Sequence, residues 1–539
     1  MGQGIVTGDR TLPAGSAPVP LLCTAAQCRA LDQAGAHALG IPTYELMLRA
    51  GRAALELLVQ AWPNARCITI CCGKGNNAGD GYVVAALARD RGLEVELLQV
   101  GSEAQLVGDA ASARDAALAV AIVPVTEWPS APRGDVVVDA LLGTGLRGAL
   151  APPDAAAVDW INGSGRPILA LDLPSGVEAD TGAAASPAVQ ATVTLQFIGR
   201  KIGLYTGAGV DHAGVRRFDA LGLDSRLLSA VEGVPLWRVA SLPVWARLPP
   251  RAQSAYKQRF GHVLVIGGDH HMGGAPIMAA EAALRVGAGL VTVLTRSEHR
   301  PALLARRPEA MVIDADDGSA RKEAFLRASC LIVGPGLGRQ ACGRQLLREA
   351  LDSGLPMVLD ADGLNGLADT GWHASGPIIG TPHVGEAATL LGVQTAVVQR
   401  DRPAAAEALA ARLGGVAVLK GAGSLVAALA EGGAARVLGV CAHGNPGMAS
   451  AGMGDVLAGI IGGLLAQGLP AAAAALTGTC LHSAAADRAS ARLGERSLLA
   501  TDLLVDLIAL LAEDEQRAPG LPAQRSSLSD DGAWVGFGD

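Results

Sequence analysis

Asn445-Pro446-Gly447-Met448-Ala449-Ser450-Ala451-Gly452-Met453-Gly454-Asp455-Val456-Leu457-Ala458-Gly459 places a Gly-x-Gly-Asp run at the mouth of an apolar helix. The first amides of a helix have no carbonyl partner inside it, so several donors face whatever lies ahead. Phosphoryl transfer needs such a cradle, because negative charge spreads over the equatorial oxygens of the transition state. Asp455, in the first turn, is placed to accept a proton from an attacking hydroxyl. Capping is the plainer role for an Asp there. Here, however, it heads a long uncharged run, with no Asp, Glu, Lys or Arg from Val456 to Ala486. That run exceeds a membrane span in length. Gln467-Gly468-Leu469-Pro470 cuts it, and its Gly and Ala suit two buried helices packed on a sheet.

Upstream of this segment, short apolar runs alternate with helical stretches. His262–Ile266, Gly289–Leu294, Cys330–Val333, Pro356–Leu359, Ile378–Gly380 and Val416–Leu419 read as strands. The first half repeats the pattern with Arg66–Cys72, Leu93–Val100, Asp135–Leu142, Pro167–Leu171 and Ala191–Phe197, separated by helices such as Tyr82–Arg91 and Asp109–Val120. Strands joined by helices of this length imply parallel sheets in both halves. Around residues 222–250 the alternation breaks, and it ends near Leu511. No internal repeat relates the halves, so two different α/β domains are expected.

Composition narrows the function classes. The 539 residues carry 51 acidic against 43 basic groups, a net charge of −8, which leaves no basic stripe for a nucleic acid. The 70 glycines imply many tight turns, since no three-residue repeat explains them. The nine cysteines are odd in number and lack C-x-x-C spacing, which points to a reducing compartment without structural zinc. Residues 1–20 have no apolar core and do not read as a secretory signal.

Three segments carry the chemistry of the first half. After the strand ending at Cys72 comes Gly73-Lys74-Gly75-Asn76-Asn77-Ala78-Gly79-Asp80-Gly81, a loop leading into a helix. Its glycines let a ligand approach the backbone, and its two Asn and one Asp supply polar recognition that an ordinary turn does not need. Next, Gly143-Thr144-Gly145-Leu146-Arg147-Gly148 matches G-x-G-x-x-G, with Asp172 downstream. A nicotinamide-dependent redox domain is therefore one candidate, although Pro152-Pro153 delays the helix that should follow. Finally, Asp172-Leu173-Pro174-Ser175-Gly176 stands at a strand's C-terminal end, where open α/β sheets place their ligands. Asn77, Asp139 and Ser175 would give an oxygen-only donor set for a hard cation.

In the second half no G-x-x-x-x-G-K-[ST] occurs, which excludes a P-loop NTPase at motif level. Instead, Gly273-Gly274-Ala275-Pro276, Gly334-Pro335-Gly336-Leu337-Gly338, Asp360-Ala361-Asp362-Gly363-Leu364-Asn365, Thr381-Pro382-His383-Val384-Gly385-Glu386 and Lys420-Gly421-Ala422-Gly423-Ser424 mostly fall just past strand ends.

Taken together, Cys23–Gly51, the Gly73–Gly81 loop, the Asp139 loop and the Asp172 segment resemble the NAD(P)H-hydrate epimerase family over about residues 21 to 220. Ala78 stands where that family has glycine. The resemblance implies a Rossmann-like three-layer domain and a potassium ion near Asn77, Asp139 and Ser175. It makes Asp172 the acid/base that inverts C6 of hydrated NADH or NADPH. Asn76, Asn77, Asp80 and the loop Gly143, Thr144, Gly145, Leu146, Arg147, Gly148 and Ala149 would cradle that dinucleotide. Over about residues 235 to 512 the chain resembles the ADP/ATP-dependent NAD(P)H-hydrate dehydratase family, which implies a ribokinase-like α/β domain. There Ala275, His383, Asp455 and either Gly336 or Gly338 would contact the hydrate. Lys420, Gly421, Ala422, Gly423, Ser424 and Gly454 would contact ADP carrying a magnesium ion.

The expectation is thus a leader over 1–20, an epimerase domain over 21–225, a dehydratase domain over 235–512 and a disordered tail over 513–539. The expected protein is a cytoplasmic homo-oligomer that meets small molecules (the hydrated dinucleotides and ADP), with neither nucleic acid nor membrane as partner. A second reading keeps the folds but makes the chain a ribokinase-type small-molecule kinase. Its N-terminal module would bind a nucleotide without catalysis, and a stable phosphorylated product would mark it.

Overall fold

The computed structural model describes residues 19–517, except 225, 228–230, 244, 245 and 431. Most of the expected leader and the far end of the expected tail lie outside the described residues. Val19 packs against the second domain's core, and Leu21–Cys23 is a strand. The last helix, Leu503–Arg517, continues past Leu511. Its polar end is held because Arg488 forks onto Glu513 at 2.7 and 2.8 Å, while Leu503, Leu504, Leu507 and Leu510 bury its apolar face.

The first sheet is parallel throughout and has the spatial order Glu94–Gln99, Cys67–Cys72, Val136–Ala140, Ile168–Leu171, Val193–Phe197, Val215–Asp219. Its central strand Val136-Val137-Val138-Asp139-Ala140 is buried along its whole length, as a strand covered on both faces must be. Ligands gather at the C-terminal ends of such strands. Gly73 is needed at one of them, because a Cβ there would lie 2.0 Å from the Leu141 carbonyl oxygen.

In the second sheet, seven parallel strands run Met311–Asp314, Leu290–Thr295, His262–Ile266, Cys330–Val333, Met357–Leu359, Ile378–Gly380, Val416–Leu419. Met311–Asp314 was not anticipated, nor was the antiparallel extension Leu425–Leu429 and Ala435–Cys441. Beyond that hairpin the sheet takes up Val234–Trp237, then Leu21–Cys23, then Arg200–Lys201. The last two strands come from the first half of the chain. The two α/β units therefore share hydrogen-bonded backbone, which an alternation pattern cannot reveal.

The uncharged run resolves into helices Met453–Ala466 and Ala471–Leu493, and no helix of the described residues is long and apolar enough to cross a membrane. Glycine lets the first of them press against helix Gly274–Arg285: a Cβ on Gly459 would lie 2.3 Å from the Ala279 carbonyl oxygen. Backbone cannot yield as a side chain does, so Gly459→Val is expected to cost about 3 kcal/mol through overpacking. A lower midpoint in thermal melting of the whole protein checks this.

Candidate active sites

At the C-terminal edge of the first sheet lies a cavity of about 820 Å³. Asn76, Asn77, Asp80, Gly143, Thr144, Gly145, Leu146, Arg147, Ala149 and Asp172 all line it. The expected loop before the helix is shorter than it reads, because Gly75 is the N-cap and the helix runs Asn76–Asp90. Asn76, Asn77 and Asp80 therefore stand in its opening turns, beside the amides that lack helical partners. Gly148 is not among the lining residues; its amide donates to Glu178 Oε1 at 2.7 Å. Arg147 reaches Asp180 at 2.6 Å, and Asp180 also accepts from the Ala25 amide at 2.6 Å. Acidic anchors thus hold the glycine loop open over the cavity.

Asp172 adopts a left-handed backbone with φ of 65°. Its Oδ1 accepts from the Phe197 amide at 3.1 Å and from the Lys201 ammonium. Burial works against the Lys201 charge, but Asp172 and neighbouring groups hold the ammonium above its ordinary value. Two further carboxyls share this corner. Burial pushes Asp32 up to about 6, with Asp172 adding to the rise. Asp80 is driven well above the usual carboxylate range, by burial and then by Asp172 and Asp32.

Asn77, Asp139 and Ser175 come together beneath the cavity. Ser175 donates from its amide to Asp139 Oδ2 at 2.7 Å and from its hydroxyl to Oδ1 at 2.6 Å. Asn77 Nδ2 donates to the Leu142 carbonyl at 3.0 Å, and the Leu142 amide donates to Ser175 Oγ at 2.9 Å. Asn77 Oδ1 is buried without a hydrogen-bond partner. Burial raises Asp139 to about 6, against the pull of the Ser175 and Leu141 donors.

The second site gathers around Lys420, which follows strand Val416–Leu419. Its Nζ lies 2.7 Å from Asp360 Oδ1 and 3.8 Å from Glu386 Oε2. Gly454 fits against this pair, since a Cβ there would lie 3.1 Å from Lys420 Nζ and 3.2 Å from Asp360 Oδ2. Asp455, one residue on, is raised to about 7 by burial and by Asp360, with Lys420 opposing. His383 caps helix Val384–Leu391: its Nδ1 accepts from the Gly385 amide at 2.9 Å, and its own amide donates to Glu386 Oε2 at 2.8 Å. The ring is largely exposed, with its Nε2 3.5 Å from Glu386 Oε1.

The pentapeptide glycines separate by surroundings. A Cβ on Gly336 would lie 3.5 Å from Ala275 Cβ and 2.7 Å from the Met272 carbonyl oxygen. Gly338 donates its amide to Asp362 Oδ2 at 3.0 Å, and a Cβ on it would lie 2.5 Å from Asp269 Oδ2. The Lys420–Ser424 loop is packed on one side by the first unit. Thr206 Oγ1 donates to the Gly423 carbonyl at 3.0 Å and accepts from Arg402 Nε at 3.0 Å. Arg402 Nη2 donates to the Lys420 carbonyl at 3.1 Å.

Two bifunctional NAD(P)H-hydrate repair enzymes resemble this chain along most of its length. The one from Coxiella burnetii is 46% identical, over 90% of this chain and 98% of its own. The Escherichia coli protein is 45% identical, over 88% and 91%. The chain belongs to the bifunctional NAD(P)H-hydrate repair enzyme family. Residues 43–203 match the family described as YjeF-related protein N-terminus, and residues 263–508 match NAD(P)H-hydrate dehydratase. Among solved structures, the ADP/ATP-dependent NAD(P)H-hydrate dehydratase of Bacillus subtilis, co-crystallised with ATP/Mg²⁺, is 29% identical with a TM-score of 0.46, covering 52% of this chain and 99% of its own.

For this repair-enzyme chain, motif reading passed over Lys201, Asp32, Asp360 and Glu386. Asp360 and Glu386 sat inside quoted motifs but were given no role. Lys201 had a usable signal: a cation just beyond the strand Val193–Phe197, at the ligand edge of the sheet.

Proposed function

We propose that this chain repairs hydrated NADH and NADPH in two consecutive steps. The N-terminal unit interconverts the R and S forms at C6, and the C-terminal unit dehydrates the S form while ADP becomes AMP and phosphate. The observation that carries this reading is the pairing, in one chain, of the Asp172–Lys201 corner on an 820 Å³ cavity with a second, half-buried acid, Asp455, at a helix mouth beside Lys420.

At the first site the hydrate lies along the Gly143–Ala149 loop, with its phosphates near the opening turn of helix Asn76–Asp90. Asp172 protonates the C6 hydroxyl as it leaves and deprotonates water arriving on the other face. At the second site, Asp455 accepts the C6 hydroxyl proton as that oxygen attacks the β-phosphorus of ADP. AMP departs, the C6–O bond then breaks with help from the ring nitrogen, and loss of the C5 proton restores the dihydronicotinamide. Lys420 and the amides from Gly452 onward balance charge on the transferred group. Gly336, beside Ala275, is the pentapeptide glycine that supports substrate contact better than Gly338.

Potassium fits the first site, since the buried, unpartnered Asn77 Oδ1 stands with Asp139, Ser175 and the Leu142 carbonyl in an all-oxygen set. When bound, the ion would supply positive charge beneath the dinucleotide phosphates. Asn77→Ala is expected to raise the potassium needed for half-maximal epimer exchange by about tenfold or more, read by titrating potassium at constant ionic strength. Magnesium would arrive with the nucleotide phosphates, near the hard oxygens of Asp360 and Glu386. Nine free cysteines agree with a cytoplasmic setting. Apolar Val505 and Ile508, exposed on the last helix, are compatible with a homo-oligomer.

Purified protein given mixed NADH hydrates with ADP, or with ATP, tests the whole reading through dihydronicotinamide absorbance. Complete recovery from both epimers requires both activities. A stable phosphorylated product would instead favour the kinase reading.

A further inference from the structure

Lys201 is the most deeply buried cation at the first site, with 2% of its side chain exposed. A lysine so placed is tolerated only when its charge and its donors are matched. Its Nζ donates to Asp172 Oδ1 and, at 2.9 Å, to the Phe197 carbonyl. The Phe197 amide donates to the same Oδ1 at 3.1 Å. Among the described residues no protein donor reaches Asp172 Oδ2, although Asp172 lines the cavity. The backbone enforces this division. Asp172 is fixed in the left-handed region with φ of 65°, and its amide donates to the Leu195 carbonyl at 2.8 Å. On the other side, the short strand Arg200–Lys201 is held by pairing with Leu22–Cys23.

The neighbours explain why one carboxylate takes the ammonium. Asp32 on helix Ala25–Leu39 and Asp80 on helix Asn76–Asp90 face the same corner, and burial favours the protonated form of both. Cys28, Cys23, Arg29 and Arg200 add to the titratable surroundings. Asp172 is the carboxyl in direct contact with Lys201.

We propose that Lys201 is the positioning residue of epimerisation: with the Phe197 amide it saturates Oδ1 of Asp172, leaving Oδ2 as the one oxygen that exchanges a proton with the C6 hydroxyl. This rests on the epimerase reading of the cavity. In the forward half, Oδ2–H gives its proton to the departing hydroxyl, the C6–O bond breaks, and the ring-nitrogen lone pair forms the C6=N bond. In the return half the ring has turned its other face to the carboxylate, and water adding there surrenders its proton to Oδ2. Lys201 keeps its own protons throughout and holds the carboxylate's angle and charge.

The test compares Lys201→Met, which keeps length and removes charge, with Lys201→Arg and Asp172→Asn. For Lys201→Met, kcat for epimer exchange should fall about hundredfold from misplacement of one group, with KM nearly unchanged. The rate–pH profile of epimer exchange should also be displaced, because the cation beside the acid/base is gone. Lys201→Arg should keep the parental profile. A kcat for Lys201→Met close to the parent, or a lowered kcat with an unmoved profile, overturns the proposal. Should Lys201→Met not fold, Lys201→Arg decides alone: an unmoved profile supports the assignment and a displaced one overturns it. If Asp172→Asn exchanges epimers at the parental rate, the epimerase reading itself fails, which separates the two failures.

Discussion

Asp455→Asn is expected to stop nucleotide-driven recovery of dihydronicotinamide, lowering kcat by about a hundredfold to ten-thousandfold, the range for a general base. Asn keeps the shape of the side chain but cannot accept the hydroxyl proton. The parent should also show a characteristic pH dependence. Because Asp455 sits near 7, raised by burial and Asp360, it is mostly protonated in mild acid. The rate should therefore rise with pH through about 7 and level off above it. Stability should move the other way. A folded value above the ordinary 3.8 means that the native state favours the protonated acid. Ionisation therefore erodes stability as pH climbs from the ordinary value through about 7. A permanently neutral Asn escapes that loss, so the variant should melt no lower than the parent above pH 7. An active Asp455→Asn protein would remove Asp455 from the reaction, whereas an inactive variant that melts lower would point to damaged packing.

Asp172→Asn should lower epimer exchange by a similar hundredfold to ten-thousandfold while dehydration of the S form continues. Given mixed hydrates and excess ADP, absorbance should recover quickly to the S fraction and then creep at the uncatalysed rate. The substitution is unusually clean for the backbone, since Asn tolerates the left-handed conformation that Asp172 adopts. Its amide oxygen can still accept from Lys201 and the Phe197 amide, although Lys201 loses its counter-charge. Stopped recovery with a preserved S-specific rate would separate chemistry from folding within a single protein.

Much of this was legible in the sequence because the decisive signals are local. The strands at His262–Ile266, Cys330–Val333, Ile378–Gly380 and Val416–Leu419 have the bounds expected from their apolar runs. Asn77, Asp139 and Ser175 could be grouped because each follows or ends a strand on one sheet edge. What escaped depended on distant parts of the chain. Leu425–Leu429 is short and Ala-rich, so its strand character comes from its antiparallel partner and not from its own composition. Gly336 and Gly338 both have positive φ, and only the Ala275 side chain near one and the Asp269 side chain near the other distinguish them. Lys201 carries no motif of its own; its importance appears only once Asp172 is beside it. The helix beginning at Asn76 was masked by glycines that normally weaken helices, and here they admit close neighbours such as Met47 against Gly79.

The shared sheet bears on how such a protein could be divided. Arg200–Lys201, which presents the ammonium to Asp172, is paired to Leu22–Cys23, and that strand borders Val234–Trp237 on the edge of the other unit. A gene split near residue 230, with both halves expressed together, would strip a backbone partner from each fragment. The C-terminal fragment would display a naked sheet margin, inviting self-association. The N-terminal fragment would have to hold its lysine without the neighbouring sheet that steadies it. Complementation in trans should consequently restore dehydration more readily than epimer exchange, because one catalyst lends the other part of its frame.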